Sequence, residues 1–252
     1  MLTVGDMEYP SLVGSVPDDE WRTRVELAAL YRLVVVMGWD DLSVTHISAR
    51  VGDHYLFNPQ DLLFEEVTAS NLVKITLDGE IASNTPFKIA VGDWYPHKAV
   101  HAVREDANFV IHTHDDYGTA VSTQKRGLEA ISQTAAFVLG GTISYHDYDG
   151  VETYEERIQG LQESLGSANF MILRNHGLLS LGRTAPEVFY RIAGLIKACR
   201  IQILAGPRTD HLVVLPDEML ATFPGELKRP RGNDAWPGLI RKLDRLDPSY
   251  KT

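Results

Sequence analysis

With Cys199 as the only cysteine among 252 residues, the chain can build neither an internal disulfide nor a thiolate metal cluster. Cys199 lies in an apolar helical pattern and reads as a core filler. Cations are also scarce: 24 Lys and Arg face 34 Asp and Glu, a formal net charge of -10. A nucleic-acid or anionic-membrane partner needs clustered Lys and Arg, so both are excluded as the main partner. No apolar run approaches the length of a membrane span, and the opening "MLTVGDMEYP" lacks the basic start and long apolar stretch of a secretory signal. The expected setting is therefore the cytoplasm, with a small molecule or another subunit as partner. Internal repeats and low-complexity segments are absent too.

What is present is a 44% apolar composition, enough for one sizeable core. In "VPDDEWRTRVELAALYRLVVVMGW" the apolar residues recur at helical spacing behind Pro17 and Asp18, and Gly38 supplies the stop. Alternation in "LSVTHISARVGDHYLFNP" predicts two strands around a Gly52-Asp53 turn, and "NLVKITLDGEIAS" repeats the signal at Asp78-Gly79. "DWYPHKAVHAVRED" predicts a helix starting between Asp93 and Tyr95, because Pro96 is tolerated only in a first turn. Beyond it strands in "NFVIHTH", "GTISYHDY" and "NFMILRNHG" interleave with helices in "DDYGTAVSTQ", "YEERIQGLQESL" and "TAPEVFYRIAGLIKACRIQILAG", with Asp115 and Thr184 as caps. The expected class is α/β, a three-layer α/β/α sandwich with a mixed, largely antiparallel central sheet. Residues 1–206 form the expected domain. Residues 207–252 read as an extension packing on that domain or on a neighbouring subunit; the segment around Trp236 is expected to reach a neighbouring subunit's site, the plain alternative being that Trp236 packs on its own domain.

Chemistry concentrates in histidines. Side chains two apart on a strand share a face, so His112 and His114 in "FVIHTHDDYGTAVS" stand within reach of one ion. His176 follows another apolar strand in "FMILRNHGLL", with Gly177 permitting a tight turn. The pair alone fits hydrogen-bonded surface residues as well as ligands. Three imidazoles at strand ends suit a divalent cation with positions open to substrate.

"DWYPHKAVHAVREDANFVIHTHD", followed about sixty residues later by "MILRNHGLLSLGRTAPEVF", resembles the class II aldolase/adducin family in its His-x-His and Asn-His-Gly motifs. The upstream "HISARVGDHYLFNPQDLLFEEVTASNLVKITLDGE" extends the resemblance over roughly residues 20 to 205. The resemblance implies a homotetramer with a zinc, manganese or iron ion held by His112, His114 and His176. It also implies that Asp93 stands where family aldolases carry a glutamate acid/base; the plain alternative for Asp93 is a helix N-cap.

Where phosphate-binding members carry Gly-Asn, Ser-Gly and paired serines, this chain has Thr45-His46, Gln60-Asp61 and Val91-Gly92. The acidic Asp61 and the donorless Val91 argue for an unphosphorylated substrate. Candidate substrate contacts are His46, Arg50, Tyr145 and Arg174, with Tyr117 beside Asp93 as a candidate proton carrier. Both arginines also fit structural ion pairs. The expected activity is a metal-dependent carbon–carbon lyase, of decarboxylase or retro-aldolase type, acting on an unphosphorylated hydroxy or keto acid through a metal-stabilised enolate. The alternatives are an Fe(II)-dependent oxygenase on the same fold and a non-catalytic, adducin-like binding module.

Overall fold

A computed structural model describes residues 1–140, 143–150, 153–206, 211–223 and 232–252. The expected extension 207–252 and the strand in "GTISYHDY" fall partly outside the described residues.

The chain opens with a hairpin, β1 (Leu2–Val4) and β2 (Met7–Tyr9), and continues into the 20-residue helix α1 (Asp18–Met37). Asp18, Asp19 and Glu20 occupy the first turn of α1, where the helix dipole favours carboxylates, and Gly38 closes it with a φ of +68°. There follow β3 (His46–Val51), β4 (His54–Phe57), β5 (Val73–Ile75) and α2 (Val91–Val103). Next come β6 (Phe109–Thr113), α3 (Asp116–Ser122), α4 (Gln133–Leu139) and β7 (Ile143–His146). The remainder comprises α5 (Tyr154–Leu165), β8 (Phe170–Leu173), β9 (Gly177–Gly182), α6 (Ala185–Ala205) and a C-terminal helix, Trp236–Leu246.

Seven strands form one sheet in the order β5-β4-β3-β6-β9-β8-β7. Its pairings are antiparallel apart from β7 on β8, which run parallel. Strand periodicity sorts the layers. On β6, Phe109 and Ile111 join Ile47, Ala49 and Leu178 in the core beneath α1, α4 and α6. Val110, one residue out of step, joins Tyr95, Val100, Leu161 and Leu179 beneath α2 and α5. The expected three-layer α/β/α sandwich with a mixed, largely antiparallel sheet is therefore the fold observed.

The helix expected to start between Asp93 and Tyr95 starts at Val91 instead. Pro96 consequently falls in the second turn, and it supplies no N–H for the Gly92 carbonyl. The C-terminal helix lies on its own chain: Trp236, Leu239, Ile240 and Leu243 pack in the α1/α6 core, and Trp236 meets Phe189 with ring centroids 6.4 Å apart. The chain end is tied down by Arg32 to Asp247 at 2.8 Å and by Ala69 N–H donating to the Tyr250 carbonyl at 2.9 Å.

One ion network is buried except for its lysine. Arg24 is 1% and Glu20 4% exposed. Arg24 Nε donates to Glu20 Oε1 at 2.9 Å, and Lys74 Nζ reaches Oε2 at 2.7 Å. Glu20→Ala would leave the Arg24 charge buried without its carboxylate, so the expected loss in urea unfolding is about 3–5 kcal/mol. A loss below about 1 kcal/mol, the range of surface pairs, would show that the carboxylate is dispensable.

Candidate metal centre

The β6 register fixes the first two imidazoles. His112, the fourth residue of β6, projects between the sheet and α2, and His114 follows on the same side one residue beyond the strand. The third comes from the β8–β9 hairpin, which reverses at Asn175 with a φ of +57°. Gly177 is required next to it, since a Cβ there would stand 2.4 Å from the Thr113 carbonyl oxygen. The close passage of these two backbones brings His176 against β6.

His112 Nε2 lies 2.9 Å from His114 Nε2, which lies 3.0 Å from His176 Nε2. His112 Nδ1 faces the Leu178 carbonyl at 3.0 Å, so it carries that ring's proton and leaves Nε2 a bare acceptor. His114 Nδ1 faces the Asp41 carboxylate at 3.3 Å, which favours the same tautomer. Two lone pairs meeting at this distance repel one another unless a cation stands between them. Tetrahedral ligation with metal–nitrogen bonds of about 2.0–2.1 Å puts donor atoms about 3.3 Å apart, close to the observed spacing. Burial, then the neighbouring His46, His176 and His114, holds the His112 pKa well below its usual value, and burial first of all lowers His176 to about 4. Neutral imidazoles are the form that ligates. The donor set fits a divalent cation.

These rings open on a cavity of about 360 Å³ whose wall also includes His46, Asp93, Asp149, Arg157 and Arg174. Asp93 is the third residue of α2; the cap position belongs to Ala90, so Asp93 is no N-cap. Burial raises its carboxyl pKa, against an opposing pull from His114.

Of the expected substrate contacts, His46 and Arg174 line this cavity. Arg174 is partly committed, donating to the Gln124 carbonyl at 2.7 Å and lying 4.4 Å over the Tyr145 ring. Three other expected residues lie outside this cavity. Arg50 spends its guanidinium on Tyr55 Oη at 3.0 Å and on the His101 carbonyl at 2.8 Å, away from the cavity. Tyr145 turns into the α1/α6 core and accepts the Leu128 N–H at 3.0 Å. Tyr117 packs against that same core, with Arg200 5.4 Å over its ring, and does not line the cavity. Asp61 also lies elsewhere, in a separate surface depression with Asp6 and Glu66, so its charge does not bear on a phosphate at this cavity as the sequence suggested.

Sequence reasoning overlooked Arg157 and Asp149. Asp149 accepts from Arg157 Nε at 3.1 Å and Tyr95 Oη at 3.2 Å, and pairs its other oxygen with His146 Nε2. Arg157 is stacked 4.0 Å over the Tyr95 ring. No local spacing signals such a cluster, because its members come from α2, α5 and the loop after β7.

Comparison with known proteins follows the same lines. A Pseudomonas aeruginosa protein named for aldolase class 2 is 44% identical over 241 residues, covering 92% of this chain and 93% of its own. Mouse alpha-adducin is 41% identical over 211 residues, 81% of this chain but 28% of the adducin. The crystal structure of an aldolase II superfamily protein from Pseudomonas syringae superposes with a TM-score of 0.89 at 40% identity, covering 96% of this chain and all of that one. Residues 25–203 match the sequence profile of the class II aldolase and adducin N-terminal domain, and the chain belongs to that family.

Proposed function

We propose that the protein is a metal-dependent carbon–carbon lyase, of decarboxylase or retro-aldolase type, acting on an unphosphorylated hydroxy or keto acid. The observation that carries this reading is the convergence of three Nε2 atoms, with spacings of 2.9 and 3.0 Å, in a cavity that also holds a half-buried carboxylate and two arginines. Held by His112, His114 and His176, a zinc ion, or manganese or iron in its place, supplies Lewis-acid polarisation of a substrate oxygen. Asp93 is the proton carrier: its half-buried carboxyl lines the cavity beside the three imidazoles, placed to take and return a proton of the substrate. Arg157 and Arg174 are the donors for the substrate carboxylate, since a guanidinium pairs with it through two parallel bonds. Arg157 enters this role already oriented by Asp149 and Tyr95.

Residues 1–206 serve as the catalytic unit and 207–252 as an extension whose helix Trp236–Leu246 packs on α1. We further infer a symmetric homotetramer working in the cytoplasm; among the described residues no helix is long and apolar enough to cross a membrane. An apolar groove of about 290 Å³ between α4 and α6, lined in part by Phe137, Val138 and Tyr190, supports self-association.

A second reading, a binding module without chemistry, draws on the likeness to adducin. One assay separates the readings. Protein loaded anaerobically with zinc, manganese or iron is offered a panel of small hydroxy and keto acids, with and without phosphate esters. Metal-dependent release of carbon dioxide or an aldehyde from the unphosphorylated acids, without oxygen uptake, is expected. Oxygen uptake matching turnover with iron assigns an oxygenase, and no product with any metal assigns the binding module.

A further inference from the structure

Four buried side chains that the proposed chemistry leaves aside run in a string away from the metal centre. His101 Nδ1 lies 2.9 Å from the Ala107 carbonyl, which can only accept, so this nitrogen carries the proton. Burial, with the Arg50 guanidinium nearby, lowers the His101 pKa to about 3, so the ring is neutral and its Nε2 accepts. The Ser48 hydroxyl, 2.8 Å away, gives its single proton to that Nε2. Its oxygen is then the acceptor for His97 Nδ1 at 2.6 Å. His97 Nε2, left without a proton, accepts from His46 Nδ1 at 2.8 Å.

His46 has then spent its one proton on the buried side. Its Nε2 is left bare on a ring that lines the cavity, with its centroid 4.8 Å from that of His112. The rings are held against rotation: Trp94 stacks on His97 at 5.7 Å with planes 3° apart, and Phe57 packs on both His97 and His46. The local geometry is simple. His97 and His101 stand one helical turn apart on α2, and His46 and Ser48 share one face of β3.

We infer that this string is a tautomer lock: the Ala107 carbonyl, acting through His101, Ser48 and His97, fixes His46 as a hydrogen-bond acceptor facing the substrate. His46 is then a residue that reads a donor, such as a substrate hydroxyl, while His97, Ser48 and His101 are positioning residues. A phosphate or carboxylate oxygen at this point would set lone pair against lone pair. The substrate class follows as a hydroxy acid whose hydroxyl faces β3, a refinement that rests on the lyase reading; the polarity of His46 does not.

The test is nitrogen-15 NMR of the full chain labelled at histidine, with and without zinc, the His46 signals being assigned by their loss in His46→Gln. The expected result is a protonated Nδ1 and an unprotonated Nε2 on His46, a mixture of tautomers in Ser48→Ala, and recovery of the single tautomer in Ser48→Thr. A proton on His46 Nε2 in the unmodified protein overturns the inference, as does an unchanged tautomer in Ser48→Ala. If Ser48→Ala does not fold, the spectrum of the unmodified protein still decides. No turnover is needed, so an inactive protein with a bare Nε2 refutes the lyase reading alone.

Discussion

His112→Ala is expected to abolish metal-dependent activity and to weaken metal binding by more than about 100-fold. Residues that merely orient a ligand are worth about 10–100-fold in affinity, and His112 is itself a ligand. It is also central: fully buried, its Nε2 is 2.9 Å from that of His114, and its ring packs on those of His46 and His176. The remaining imidazoles would bind as a two-point site. Thermal unfolding reads the loss. At a free metal concentration of one hundred times the dissociation constant, binding stabilises a protein by about 2.7 kcal/mol, and a hundredfold weaker site at the same concentration gives about 0.4 kcal/mol. The metal-induced rise in melting temperature should therefore nearly vanish. A variant that keeps the full rise would place the ion elsewhere.

Asp93→Asn separates chemistry from binding. Asparagine keeps the shape of the side chain and removes its ability to carry a proton, so turnover should fall by about 10²–10⁴-fold with metal content unchanged. Stability should move the other way. Because burial raises the carboxyl pKa above its ordinary 3.8, the folded state binds the proton more tightly than the unfolded state. The stability contribution of Asp93 is therefore full below that value and is lost as pH rises through the folded-state pKa; at neutral pH the ionised group is a net burden. Removing it should leave the melting temperature of the metal-free protein at pH 7 equal to or above that of the metal-free parent. Near-normal turnover would reject Asp93 as the proton carrier, and a loss of metal would make it a ligand instead.

Much of this was legible in the sequence, for a local reason. His112 and His114 are two residues apart in an apolar strand, and period-two geometry alone puts them on one side. His176 was recognisable from the Asn-His-Gly turn, whose αL asparagine and close backbone contact at Gly177 are the physical content of that motif. The layers followed from alternating strand and helix signals. β9 stayed hidden because "GLLSLG" is buried on both faces and shows no alternation, and α4 because seven residues make too short a periodic run.

Long side chains were the weak point. Arg50 and Arg174 both sit at strand ends, yet backbone carbonyls around His101 claim the first and the cavity receives the second. Tyr117 lies in the first turn of a helix beside the site, but its ring turns into the other layer. The string from His46 to His101 joins a strand to a helix about fifty residues away, a pairing that only β3 packing on α2 creates.

The account depends on one cation per chain at the three imidazoles. Native mass spectrometry of protein purified without an affinity tag reads that stoichiometry and the size of the assembly together. The expected spectrum is a tetramer carrying one divalent metal per subunit, with the metal lost in His112→Ala. A metal-free spectrum that zinc, manganese and iron all leave unchanged would contradict it.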